Sequence, residues 1–436
     1  MDIWSVIGLL ALILLVILGV PIFLAMFVAV ILILFVGEGT GPISTLNQMF
    51  GDLSSLTLLA IPLFLLVGNI LAVGGAGRPL MRLMNSFLGH LPGGPAYAVI
   101  LANIVVAAMC ASPIAGIAAF GPLMIPLLKE CGYSERFAYG LIICSATLEP
   151  LIPPSVITIM YSYIAAPMVQ IQQSPNIITL WTASIIPGLV LALLLAITVY
   201  IHTRRGHFKR LPPASWSERW AALKQGWSIL LMPVAVLLPL YAGWANATES
   251  AAIGLVYVCF ISVVIFRGMD LRTFWGACHS TMRALGTVFV IIMGAVLLMM
   301  AVKNAHIPQD IAEWLGDLGL AWYFLIFVIL IAYILMGMFL DPSAIVLISV
   351  PLLLPSIEDV GFSVIVFGIF ATLAVNLANI TPPYGLVIFA TMGVLNKPYG
   401  FIVRSILLFI PALVIGLLLV AFIPGLCTWL PEVTNR

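Results

Sequence analysis

Two short segments of this 436-residue chain join a double proline to hydroxyl, amide and carboxylate groups: Thr147-Leu-Glu-Pro-Leu-Ile-Pro-Pro-Ser155 and Asn379-Ile-Thr-Pro-Pro-Tyr-Gly385. Proline lacks an amide N–H and clashes with the preceding turn, so Pro153-Pro154 and Pro382-Pro383 open a helix and free its carbonyls. Two further interruptions precede them, Cys110-Ala-Ser-Pro113 and Leu340-Asp-Pro-Ser343. The four breaks and their flanks supply Ser112, Thr147, Glu149, Ser155, Asp341, Ser343, Asn376, Asn379 and Thr381. These are hard oxygen donors, the kind a small hard cation prefers. None is Lys or Arg, so an anion bound there would be held by helix N-termini and by co-bound cations.

A single prolyl break commonly serves packing, and a lone serine commonly bonds back to its own helix. Repetition of the double proline beside polar residues argues instead for a site. Asp341 and Glu149 carry the most weight, because carboxylates inside a membrane are costly and by default functional. For Glu149 three roles stand side by side: cation ligand, proton-titrating group, or donor of a structural hydrogen bond from its protonated form.

The elements around these breaks must be membrane helices. Hydrophobic residues make up 63% and charged residues 8%, too little polarity to cover a water-soluble domain of this length. A net charge of +1 offers no basic face for nucleic acid. Backbone groups in hydrocarbon must pair internally, and the apolar runs are too continuous for barrel strands. Runs of about 20 residues predict some ten spans: 3–18, 20–36, 55–75, 134–165, 175–203, 227–246, 249–266, 284–303, 363–395 and 400–428. Segments 95–130 and 321–357 are apolar but broken midway, and read as re-entrant hairpins. With Asp2 and no basic leader, the first run reads as a span, not a removable signal. The six cysteines are scattered without metal-ligand spacing and read as free thiols.

The chain also repeats itself. At an offset of 229 residues, Pro79, Pro113, Pro122, Pro126, Pro153 and Pro154 fall on Pro308, Pro342, Pro351, Pro355, Pro382 and Pro383. About one such coincidence is expected by chance. Residues 1–203 thus form a first repeat, with hairpin 95–130 and broken helix 134–165. A basic linker follows over 204–226, and residues 227–436 form the second repeat, with hairpin 321–357 and broken helix 363–395. Placing the linker in the cytoplasm by the positive-inside rule puts every Lys and Arg except Lys303 and Arg436 inside, with both termini external. Five crossings then separate the halves, so the second is inverted relative to the first. The segments before the hairpins, basic around Pro79 and acidic after Pro308, read as amphipathic interfacial helices. Glu249 reads as a helix cap after Asn246, and the tryptophans as an interfacial belt.

On these residues the chain resembles the large membrane subunit of the tripartite ATP-independent periplasmic (TRAP) transporters. The matching stretches are Gly19-Val-Pro-Ile22, Gly121-Pro-Leu-Met-Ile-Pro126 through Gly132-Tyr133, Leu151-Ile-Pro-Pro-Ser155, Thr248-Glu-Ser-Ala-Ala252, Gly337 to Asp341, and Ile380-Thr-Pro-Pro-Tyr-Gly385. The resemblance implies secondary uptake of an organic acid, such as a dicarboxylate or sialic acid, across an inner membrane on a sodium gradient. It implies a scaffold and a mobile transport domain working as an elevator, a small four-helix membrane subunit, and a periplasmic binding protein that delivers the anion. By motif position it places Ser112, Thr147, Ser155, Asp341, Asn379, Thr381 and Gly385 in the sodium and substrate region, with Ser112, Thr147, Asp341 and Thr381 as sodium candidates.

The first half departs from the family pattern. Ala146-Thr-Leu-Glu149-Pro150 stands where a Gly-Thr-Leu-Gly run is usual, and Ala111-Ser-Pro113 replaces a serine- and glycine-rich tip. Glu149 thereby opens a route to proton coupling. A stand-alone cation-coupled dicarboxylate symporter of similar architecture is the alternative reading. An intramembrane hydrolase lacks a Gly-x-Ser-x-Gly or His-Glu-x-x-His motif to support it.

Overall fold

The computed structural model describes residues 3–37, 42–109, 112–169, 174–204, 206, 208–317, 322–382 and 385–434. Site candidate Pro383 and the hairpin-tip residues Cys110 and Ala111 lie outside them. Among the described residues every regular element is helical. The first half contains α1 (Ile3–Ile17), α2 (Ile22–Val30, continued by a π-helical turn over Ile31–Gly37), α3 (Pro42–Leu53), α4 (Leu56–Val73) and α5 (Gly77–Leu88). Then follow α6 (Gly94–Ala107), α7 (Pro113–Glu130), α8 (Glu135–Ala146), α9 (Val156–Ala165) and α10 (Ile177–Arg204). The second half runs through α11 (Trp216–Tyr241), α12 (Ala247–Phe260, with a π-helical turn over Ile261–Ile265), α13 (Leu271–Asn304), α14 (Ile307–Asp317) and α15 (Trp322–Gly337). It ends with α16 (Pro342–Asp359), α17 (Val364–Ala378), α18 (Leu386–Leu395), α19 (Tyr399–Ile406), α20 (Ile410–Phe422) and α21 (Gly425–Thr434).

Seven of these helices are long and apolar enough to cross a membrane, and up to nine if two bent pairs each count as one span. The protein is a multi-pass, all-helical membrane protein. Most other apolar helices are short because proline or a polar break divides them: α8 from α9, α15 from α16, α17 from α18. The stretch 400–428, expected as one span, is instead divided among α19, α20 and α21. Pro411 starts α20 in its first turn, and Pro424 precedes a 61° bend into α21.

Element boundaries keep the 229-residue offset. Pro113–Glu130 and Pro342–Asp359 begin and end at that displacement, and the two π-helical turns obey it to within a residue. Contacts cross between halves in matching pairs: α4 packs on α12 and α2 on α13, while α7 packs on α18 and α16 on α9.

The polar stretch 204–226, expected as linker, is helical from Trp216 onward. Ser215 caps α11 by accepting from Glu218 N at 3.2 Å, while Glu218 Oε2 accepts from Ser215 N at 2.7 Å, so a capping box starts the helix before its apolar part. Upstream, Lys209 N donates to Cys131 O and Leu211 N to Gly89 O, and Phe208 stacks on Tyr133 at 4.4 Å. The segment is therefore laid across the ends of α5 and α7. Leu80, Leu83 and Met84 of α5 are buried, and α5 packs on α11. Asn246 and Glu249 form a second capping box at α12, the role expected for Glu249.

Candidate functional site

The breaks at Ser112 and Asp341 both become helix starts, of α7 and α16, each long and apolar enough to cross a membrane. Ser112 is the N-cap of α7 and Asp341 the N-cap of α16, each followed by proline in the first turn, where a missing N–H costs nothing. Asp341 Oδ1 accepts from Ser343 N at 2.9 Å. Both double-proline segments likewise end in a cap. Ser155 starts α9, accepting from Thr158 N at 3.4 Å and donating to Pro150 O, and Gly385 starts α18 at φ 68°. A side chain at Gly385 would also meet Asn379 O, so glycine is required there twice over. Four helix N-termini thus arise from four sequence interruptions.

All four meet at one cavity of about 160 Å³. It is lined by Ser112, Pro113 and Ile114 at the start of α7, Asp341, Pro342 and Ser343 at the start of α16, and Asn376 and Asn379 at the end of α17. Pro150 and the first residues of α9 and α18 complete that wall, and Leu65 of α4 with Ala284 and Val288 of α13 close the other side. The α4 and α13 residues were missed by sequence reasoning, being apolar within ordinary spans. A signal existed in Asn69, whose amide donates to Thr281 Oγ1 at 2.8 Å between the same two helices.

The remaining candidates lie behind this wall. Thr147 Oγ1 donates to Cys144 O at 2.6 Å, and Thr381 Oγ1 to Leu377 O at 2.7 Å, so both hydroxyl protons are spent within their own helices. The Thr147 carbonyl accepts from Asn376 Nδ2, a bond whose two residues are themselves 229 apart. This crosslink ties the end of α8 to α17. Pro153 and Pro154 are buried in the first break, and Pro382 is half-buried in the second. Asn379 Oδ1 is buried without a hydrogen-bond partner among the described residues.

Glu149 is fully buried, and neither carboxylate oxygen has a partner among the described residues. Its carboxylate rests on Gly116 in the first turn of α7; a Cβ built there would lie 1.9 Å from Oε1. Glycine is what lets the carboxyl fit. The structural hydrogen bond considered from sequence is thus not formed among the described residues. An unpaired buried charge costs several kcal/mol, roughly, so this group calls for a proton or a cation. The described residues hold no cluster of three or more His, Cys, Asp or Glu suited to a transition metal. The cavity donors are hydroxyl, amide and carboxylate oxygens, which fit a small hard cation beside an anion at helix N-termini.

Comparison with known proteins gives this arrangement a context. Residues 9–426 match the family described as tripartite ATP-independent periplasmic transporter, DctM component. The chain is 33% identical over 390 residues to the C4-dicarboxylate TRAP transporter large permease protein of Pseudomonas aeruginosa, covering 88% of each chain. It is 28% identical to the sialic acid TRAP transporter large permease protein of Vibrio cholerae, covering 95% of each, and 29% identical to the ectoine/5-hydroxyectoine permease of Ruegeria pomeroyi, covering 82% of each. In fold it is similar to the YdaH transporter of Alcanivorax borkumensis, with a TM-score of 0.64 at 15% identity over 87% of this chain and 88% of that one. The MtrF efflux protein of Neisseria gonorrhoeae gives 0.60 at 15% identity over 89% and 84%.

Proposed function

Because the chain belongs to the DctM component family of tripartite ATP-independent periplasmic transporters, we propose that it moves an organic acid anion across the inner membrane, driven by a sodium gradient. The observation that carries this reading is the cavity where four helix N-termini converge with Asp341, Asn376 and Asn379 and with no basic side chain. An anion held there takes its positive charge from helix ends and co-bound cations. Relatives named for C4-dicarboxylates and sialic acid support an organic acid as cargo. Their description as large permeases of tripartite systems favours a partner four-helix membrane subunit and a periplasmic binding protein over a stand-alone symporter.

In this reading Ser112, Thr147, Asp341 and Thr381 contribute to sodium sites, and Glu149 is where protons join the coupling. The halves form an inverted repeat, with the 204–226 segment cytoplasmic and both termini external. The hairpins and broken helices move as one elevator against a scaffold containing α4 and α13. Support comes from the preserved 229-residue offset and from the cavity's position between the two helix groups.

The test is uptake of labelled C4-dicarboxylate and sialic acid into proteoliposomes holding this chain with its membrane partner, fed by the binding protein under an imposed sodium gradient. Asp341→Asn and Thr381→Ala are expected to insert normally and to lose transport with weakened sodium dependence. Unchanged sodium dependence in both would move the ion site elsewhere.

A further inference from the structure

The face formed by α5 and the start of α11 carries charge and aromatic surface that the transport site does not use. Trp216 is 78% exposed and Trp220 60%, and exposed Trp227, Leu231, Val234 and Leu238 extend the same side of α11. Spacings of four, seven, four, three and four residues keep that stripe in line along a helix. Around the start of α11 the basic side chains are Arg219 and Lys224 of that helix, and Arg78 and Arg82 of α5, which packs on it. Arg82 Nη1 donates to Gln225 Oε1 at 3.0 Å, which ties the α5 arginine to α11 at the level of Lys224. The Arg219 guanidinium lies 5.2 Å from the Trp216 ring centroid and 5.7 Å from that of Phe87, bridging the two helices. Its Nε is buried and unpaired among the described residues. None of the four forms an ion pair among those residues; Glu218, the acidic neighbour, is engaged in the Ser215 cap and lies within electrostatic reach of Arg82.

We propose that this face binds anionic phospholipid of the inner leaflet, its head group drawn to the band of cations Arg82, Arg219 and Lys224 around the start of α11 and its acyl chains laid along the exposed stripe of that helix. The proposal rests on the cytoplasmic orientation of segment 204–226. Charge complementarity selects a phosphate, since guanidinium groups bind it through several N–H donors. The tryptophans select a lipid over a free ion, because indole rings settle at head-group depth and the stripe continues from them into aliphatic residues. The lipid would fix α5 against α11 and so steady the segment joining the halves.

Native mass spectrometry of the full-length chain in nonionic detergent tests this, titrating phosphatidylglycerol against phosphatidylcholine of the same acyl chains. Wild type is expected to retain phosphatidylglycerol preferentially. Arg82→Gln and Arg219→Gln should each lower that retention about fivefold, the effect of one surface cation on an anionic head group. Lys224→Gln, on an exposed side chain with no packing role, should do the same if Arg219→Gln disturbs the fold. Equal retention of both lipids by wild type, unchanged retention in all three variants, or displacement by equimolar inorganic phosphate would each overturn the proposal. So would loss of the lipid when the membrane partner subunit is added, which would make this face a protein interface. A cysteine at Ser215 labelled from outside would refute the orientation alone, leaving head-group retention to be judged separately.

Discussion

Glu149 and Gly116 together are the most distinctive pair of residues in this protein. A glutamate at this break requires room, and the structure finds it where the neighbouring α7 carries no side chain. Among the described residues the carboxyl gains no hydrogen bond in return, which argues against a purely structural role. Glu149→Gln keeps the shape and removes the charge, so it is expected to slow transport at least tenfold and to alter its pH profile while insertion is unchanged. Rate, ion dependence and pH profile in reconstituted vesicles are the measurements. A variant matching wild type in all three would leave Glu149 with a structural role only.

At the level of elements, the helices surrounding the site are held by close backbone approach as much as by side-chain packing. Gly140 of α8 faces the backbone of α19, where an added Cβ would meet Ser405 O at 2.0 Å. A carbonyl in a helix has little freedom to retreat. Gly140→Ala is therefore expected to cost about 1–3 kcal/mol by forcing α8 from α19. Thermal unfolding of the purified chain in detergent would register this as a lowered midpoint, whereas an unchanged midpoint would show that the two helices slide apart freely. At the same end, Lys397 before α19 bonds Glu135 of α8 at 3.0 Å and lies over the rings of Tyr139 and Phe401. That half-exposed pair contributes little by itself, roughly 0–1 kcal/mol, so the packing at Gly140 dominates this contact.

For the whole molecule, orientation decides which face meets substrate. Charge segregation predicts that residues 204–226 are cytoplasmic and both termini external. An impermeant thiol reagent applied from outside should label a cysteine placed at Val433 and spare one placed at Ser215. The reverse pattern would invert the topology and with it the direction of the cavity. Orientation is independent of the fold, because a helical bundle packs identically whichever way it lies in the bilayer.

Composition alone determined that the chain is an all-helical membrane protein, since continuous apolar runs leave the backbone no other way to satisfy its hydrogen bonds. Proline spacing marked the 229-residue offset that the element boundaries keep, and the residues beside each break marked Ser112, Asp341, Ser343, Asn376 and Asn379, all of which line one cavity. These were legible because breaks in apolar helices are local events written in a few residues. Other features depended on how distant segments meet. Nothing local separates Leu65, Ala284 and Val288 from any lipid-facing residue, yet they close the cavity. Thr147 and Thr381 sit among the same motifs, but their hydroxyls point back into their own helices, because helix phase at a break is set by packing and not by residue type. The start of α11 was hidden because a capping box in polar sequence resembles a loop until the apolar part of the helix follows it. The single span expected over 400–428 failed for the converse reason: hydropathy sums over a stretch, while a turn beside one proline redirects the chain at a point.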